Sequence, residues 1–137
     1  MLKAVIFDLD GVICSTDEYH YLAWKEMADS MGIYFDRKIN NRLRGISRMD
    51  SLEIILERYE GEPLNDARKK ELAKLKNDIY RNLLSSMNSE NLGDGVKNTL
   101  DVLRASGLKL AIGSSSKNTP YILERIGLKD FFDAASD

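Results

Sequence analysis

The stretch Val5-Ile6-Phe7-Asp8-Leu9-Asp10-Gly11-Val12 decides how this chain is read. Three apolar, strand-favouring residues lead into two carboxylates spaced i, i+2, and a glycine follows at once. Side chains alternate faces along a strand, so the spacing predicts Asp8 and Asp10 on one side and Leu9 turned back into the core. Gly11 lets the backbone turn sharply where the strand ends. Two acids at the end of a buried strand are costly unless a metal or a cationic ligand neutralises them. A solvated turn holding two aspartates is the alternative. The apolar lead-in Ala4-Val5-Ile6-Phe7 favours a functional site, because ligands gather at strand carboxyl ends in open α/β sheets.

Bulk properties narrow the class. The chain has 137 residues, 43% hydrophobic and 31% charged, which suits an ordinary globular protein of one domain or one and a half. Its net charge is −2 and no basic block occurs, so nucleic acid is not an expected partner. The single cysteine, Cys14, precludes an internal disulfide and fits a reducing cytoplasm. It reads as a small packing residue or as a reactive thiol beside the acid motif. No apolar run reaches membrane-spanning length, and no signal-peptide pattern opens the chain, so no membrane partner is expected.

From about residue 16 to 31 the pattern turns helical, with Ala23, Met27 and Met31 every four residues and Gly32 as the stop. A polar stretch, 36–44, follows. Ser47-Arg48-Met49-Asp50 has the form of a capping box, and Leu52, Ile55, Leu56 and Tyr59 then repeat at helical spacing. Gly61-Glu62-Pro63 breaks that helix. A third is predicted over 66–85 with Leu72, Leu75, Ile79 and Leu83 on one face. Residues 88–95 read as a hinge. Beyond it come a helix with Val96, Leu100 and Leu103, a strand over 108–113, a helix with Ile122, Leu123 and Ile126, and the approach to another strand at 131–135.

Ser114-Ser115-Ser116-Lys117-Asn118 lies between that second strand and a helix with Pro120 in its first turn. Hydroxyls and backbone N–H groups at a strand-to-helix turn make a phosphate cradle, aided by the helix dipole. A serine-rich N-cap would look the same. Sharing an α/β layer with Asp8 favours the cradle.

The run Asp8-Leu9-Asp10-Gly11-Val12 resembles the first motif of the haloacid dehalogenase-like superfamily, and Ser114 the second. The resemblance implies an α/β fold: a Rossmann-like core, incomplete in this chain, over 1–15 and 88–137, with an inserted α-helical cap domain over 16–87. It implies a nucleophilic Asp8 and an Asp10 that acts as general acid/base. Mg²⁺ would be held by Asp8 and by the main-chain carbonyl of Asp10, and Ser114 would grip the transferred phosphoryl group. The stretches 18–24, 45–51 and 116–118 are similar to the β-phosphoglucomutase-like branch. That likeness implies a cytoplasmic phosphomutase interconverting β-glucose 1-phosphate and glucose 6-phosphate through a bisphosphate. Arg48, with Gly45, Ser47 and Ser51 beside it, would take the distal phosphate, and Ser116, Lys117 and Asn118 would face it from the core, with Ser115 counted among the phosphate-binding residues. By the same likeness Thr16 would orient Asp10 through its hydroxyl, His20 would lie near Asp10 and the hinge, and Trp24 and Lys76 would line the sugar side. Read without the family, His20 and Trp24 are as readily structural, and Lys76 a solvated face residue.

Two of the superfamily's motifs, a lysine and an acidic pair, do not appear before Asp137. The expectation is the N-terminal portion of a longer enzyme, truncated or paired with its own C-terminal remainder as a separate chain. Alone it would be inactive, with an open apolar sheet edge; complete, it would be a monomer. A sugar-phosphate phosphatase and an inactive binding fragment are the competing readings.

Overall fold

The computed structural model describes residues 1–136. The chain divides into two compact units, Met1–Asp17 with Leu84–Asp137, and Glu18–Leu83. The first is α/β and the second is helical.

In the α/β unit the strands β1 (Ala4–Phe7), β2 (Lys109–Ile112) and β3 (Ala134–Ala135) form a parallel sheet in the order β1-β2-β3. Parallel neighbours need long crossovers. The helical unit and α5 (Val96–Ala105) intervene between β1 and β2, and α6 (Thr119–Arg125) between β2 and β3. Register pairs Ala4 with Lys109 and Phe7 with Ile112, and Ala111 with Ala134. Leu9, Leu100, Leu110, Ile112, Ile122, Leu123, Ile126 and Leu128 are buried in this unit.

The opening strand is not the buried one its composition suggests. Ile6 is 73% exposed, and β1 alternates exposed and half-buried positions. Its place at the sheet margin explains this: one edge and one face of β1 lack cover among the described residues. The strand also stops at Phe7, so Asp8 and Asp10 lie on the turn beyond it. The predicted third strand shrinks to Ala134–Ala135.

The helical unit contains α1 (Asp17–Ser30), α2 (Arg37–Asn41), α3 (Arg48–Leu56) and most of α4 (Asp66–Leu84). Its core joins Trp24, Met27 and Ala28 of α1 with Ile33, Phe35, Ile39, Leu43, Leu52, Ile55, Leu72 and Ala73. Gly32, at φ 68°, ends α1 in the left-handed conformation that L-residues avoid. Helix α2 falls in the stretch read as merely polar. Asp36 caps it, its carboxylate accepting from Ile39 N–H at 2.8 Å, and one buried residue, Ile39, is too little to leave a periodic signal.

Helix α4 corrects the predicted face. Leu75 is 39% exposed, whereas Leu72, Ala73, Lys76 and Tyr80 are buried. The inward stripe therefore runs 72, 76, 80 and includes a lysine. A count of apolar residues alone excludes lysine from the core, and that displaced the stripe by one position. No helix among the described residues is long and apolar enough to cross a membrane.

Candidate active site

The acid motif forms a tight turn after β1. Ile13 N–H donates to Leu9 O at 2.9 Å, and Gly11 N–H to Cys14 O at 2.7 Å. Gly11 sits at φ 81°, the positive value for which the sequence placed a glycine there. Leu9, 1% exposed, anchors the turn from below, leaving Asp8 and Asp10 outside it. Leu9 N–H donates to Asp8 Oδ1 at 2.8 Å. Thr16 N–H donates to Asp10 Oδ1 at 2.7 Å. The main-chain amide of Thr16 therefore carries the orienting bond expected of its hydroxyl, which adds a second contact. Burial raises the Asp10 carboxyl above its ordinary range, against these bonds, and the charges of Asp17 and Asp8 push the same way. Cys14 is buried, and its thiol is pushed up to about 11 by burial first and by Asp10 second, so it packs rather than reacts.

The sheet register carries the second motif to the same edge. Gly113 N–H donates to Phe7 O at 2.8 Å, which places the residues after β2 beside those after β1. The 114–118 turn is held by its own hydroxyls. Ser116 N–H donates to Ser114 Oγ at 3.1 Å, and Asn118 N–H to Ser116 Oγ at 3.2 Å. Buried Thr119 locks the turn by donating from its hydroxyl to Ser116 O at 2.8 Å. Ser136 Oγ takes Ser114 N–H at 2.9 Å and donates to Ser114 O at 3.1 Å. A hydroxyl that accepts an N–H keeps its own proton to donate, so Ser114 and Ser116 retain the donor an anion needs. Ser115 and Lys117 are exposed, and Asn118 is buried.

The predicted residues of the helical unit gather in two groups. Lys76 is 4% exposed, not solvated. Its Nζ lies 2.8 Å from His20 Nδ1, 4.9 Å from the Trp24 ring and 4.6 Å from the Tyr80 ring. Its ammonium is brought down to about 7, by burial first and by the charge of Arg48 second. Arg48, at the first position of α3, donates from Nη2 to Asn77 Oδ1 at 3.1 Å. Ser47 is the N-cap of α3, accepting from Asp50 N–H at 3.2 Å, so its hydroxyl already has a structural task. Ser51 is buried in the first turn, and Gly45 turns the preceding loop at φ 72°. Sequence reasoning missed Asn77 and Tyr80. The signal was available, since Tyr80 stands one helical turn from Lys76 and Asn77 next to it.

Asp8 and Asp10 offer hard oxygen donors on one turn, with negative charge accumulated around Asp10, and this chemistry fits a divalent cation such as Mg²⁺. Among the described residues no set of three His, Cys, Asp or Glu side chains converges.

A parallel sheet with an acid turn and a hydroxyl turn at neighbouring strand ends defines the class. The chain belongs to the haloacid dehalogenase-like hydrolase family, whose pattern it matches over residues 5–136. It is 47% identical over 137 residues to a β-phosphoglucomutase of Bacillus subtilis, covering 99% of this chain and 61% of that protein. A phosphorylated carbohydrates phosphatase of Thermotoga maritima is 28% identical over 134 residues, covering 96% of this chain and 59% of that one. Among solved structures, a β-phosphoglucomutase from Clostridium difficile superposes with a TM-score of 0.88 at 38% identity, over 100% of this chain and 62% of the other. The chain thus spans about three fifths of the length of these relatives.

Proposed function

We propose that this protein is a Mg²⁺-dependent β-phosphoglucomutase that interconverts β-glucose 1-phosphate and glucose 6-phosphate. Residues 1–15 and 88–137 serve as its catalytic core and 16–87 as a cap. The observation that carries phosphoryl transfer is the parallel register at Phe7 and Ile112, which sets the Asp8 turn beside the Ser114 turn. Likeness at 47% identity to a mutase favours a sugar hydroxyl over water as the acceptor.

Asp8 acts as the nucleophile and is the residue phosphorylated during turnover. Asp10, with its proton affinity raised by burial, gives a proton to the departing sugar oxygen. It removes one from the attacking hydroxyl in the other direction. Thr16 N–H keeps that carboxyl in place. Ser114 holds the phosphoryl oxygens, with Ser115, Ser116, Lys117 and Asn118 following on the same turn. Arg48, steadied by Asn77, takes the second phosphate of the bisphosphate, since guanidinium grips phosphate in a fork. Mg²⁺ held by Asp8 and the Asp10 carbonyl would supply neutralisation of the crowded negative charge. Single, buried Cys14 suits the reducing cytoplasm, where sugar phosphates are handled.

The test uses the complete gene product, β-glucose 1-phosphate, Mg²⁺ and a trace of glucose 1,6-bisphosphate. Formation of glucose 6-phosphate is expected. Release of inorganic phosphate with no glucose 6-phosphate replaces the mutase with the phosphatase reading, which the likeness to a carbohydrate phosphatase keeps in play.

A further inference from the structure

The aromatic cluster of the helical unit holds more than the reading above uses. Tyr80, 1% exposed, stacks on His20 with ring centroids 4.0 Å apart and planes 16° from parallel. The same ring lies against Lys76 Nζ, and Trp24 flanks it from α1. Among the described residues the contacts of buried Lys76 are two π faces and one imidazole nitrogen. The titratable or charged groups facing it are His20 from α1, Tyr80 on its own helix, and Arg48 from α3.

Two hydrogen-bond polarities satisfy the 2.8 Å between Nζ and Nδ1. The ammonium donates to Nδ1, which leaves the imidazole proton on Nε2. Alternatively, with the imidazole also neutral, the neutral amine accepts from Nδ1–H, and Nε2 then carries no hydrogen. The two rings favour the first, because π faces attract an ammonium. Burial and the charge of Arg48 favour the second. Neither side dominates, and the ring of Tyr80 holds both partners in line.

We propose that Tyr80 is a positioning residue that, with Trp24, brackets Lys76 against His20, so that the proton on Lys76 decides which ring nitrogen of His20 carries hydrogen. Resting on the mutase reading, one consequence deepens it. A sugar phosphate bound at Arg48 offsets the charge that opposes protonation of Lys76. Binding then takes up a proton and turns His20 to its Nε2–H form.

Nitrogen-15 histidine NMR on the complete gene product tests this, with the His20 signals assigned by their loss in His20→Asn. Without ligand, wild type passes from Nε2–H to Nδ1–H with a midpoint near pH 7. Tyr80→Phe keeps the ring and the transition. Tyr80→Leu loses the transition or moves it by about one pH unit or more. Lys76→Met, in which Tyr80 is intact, holds one tautomer throughout and guards against a Tyr80→Leu protein that does not fold. A Tyr80→Leu titration matching wild type overturns the proposal. So does a switch that persists in Lys76→Met, or a single tautomer in wild type. Added glucose 6-phosphate raises the midpoint. Binding without that rise overturns the linkage. Failure to bind counts against the mutase reading, and the ligand-free titration still decides the role of Tyr80.

Discussion

The two units hold their functional side chains by different means. In the α/β unit the acids and hydroxyls stand on turns, and single main-chain contacts aim them: Leu9 N–H for Asp8, Thr16 N–H for Asp10, Ser116 N–H for Ser114. Little of their stability rests on the side chains themselves. In the helical unit Lys76 and Tyr80 face inward from a helix, and packing aims them. There a functional group displaces an apolar one from the interior. Substitution in the first unit is therefore expected to remove chemistry and spare the fold, and in the second to trade one against the other.

The sharpest break in that comparison is Asp8→Asn. Loss of the nucleophile is expected to lower kcat by about 10⁴-fold or more. The exposed side chain leaves stability within about 0.5 kcal/mol of wild type, measured by urea unfolding. Asp10→Asn comes next. The amide oxygen still accepts the Thr16 N–H, so the turn is kept and only the transferable proton is lost. That costs about 10²- to 10⁴-fold in kcat. If either variant unfolds the protein, the description of these acids as carried by the main chain is wrong.

The same contrast explains what the sequence disclosed. The acid turn was legible because apolar run, acid spacing and glycine all lie within eight residues, and the glycine does take a positive φ. The 114–118 turn was legible for the same local reason. What escaped depends on tertiary burial. Exposure of Ile6 follows from β1 lying at the sheet margin, which no local pattern encodes. The inward stripe of α4 was misplaced because the residue at its centre is a lysine, admitted to the core by Tyr80 one turn further on and by Trp24 and His20 from the sequence-distant α1. Helix α2 was missed because a capping aspartate and one buried isoleucine suffice for five residues.

Lys76→Met tests the trade in the helical unit. Lys76 falls from its ordinary 10.5 to about 7 in the fold. Between those values the unfolded chain binds more protons than the folded one, so the contribution of this group to stability rises with pH. The slope is at most about 1.4 kcal/mol per pH unit. Below about pH 7 both states hold the proton, and the contribution is flat at its least favourable. Methionine removes the dependence and the cost of a buried charge. The variant is expected to be more stable than wild type at neutral pH, with the gap narrowing toward about pH 9, and to bind sugar phosphate more weakly. Urea midpoints at the two pH values check the first, and KM the second. A variant less stable at neutral pH would show that the lysine packs as a structural element.

The smallest effect separates a cap from a ligand contact. Ser47 stands one residue before Arg48, and its hydroxyl caps α3 through Asp50 N–H. Ser47→Ala is expected to cost about 1 kcal/mol of stability through the lost cap. A few-fold rise in KM accompanies it, because the turn bearing Arg48 frays. Ser47→Asp discriminates. A carboxylate at the N-cap restores the helix end and suits its dipole, yet it repels a phosphate at Arg48. Recovery of the unfolding midpoint with a KM higher still than that of the alanine variant assigns Ser47 to the helix and Arg48 to the anion. A KM rise for Ser47→Ala of about tenfold or more, with no loss of stability, would instead place the hydroxyl on the ligand. The helical unit would then aim a polar group from a loop, as the α/β unit does.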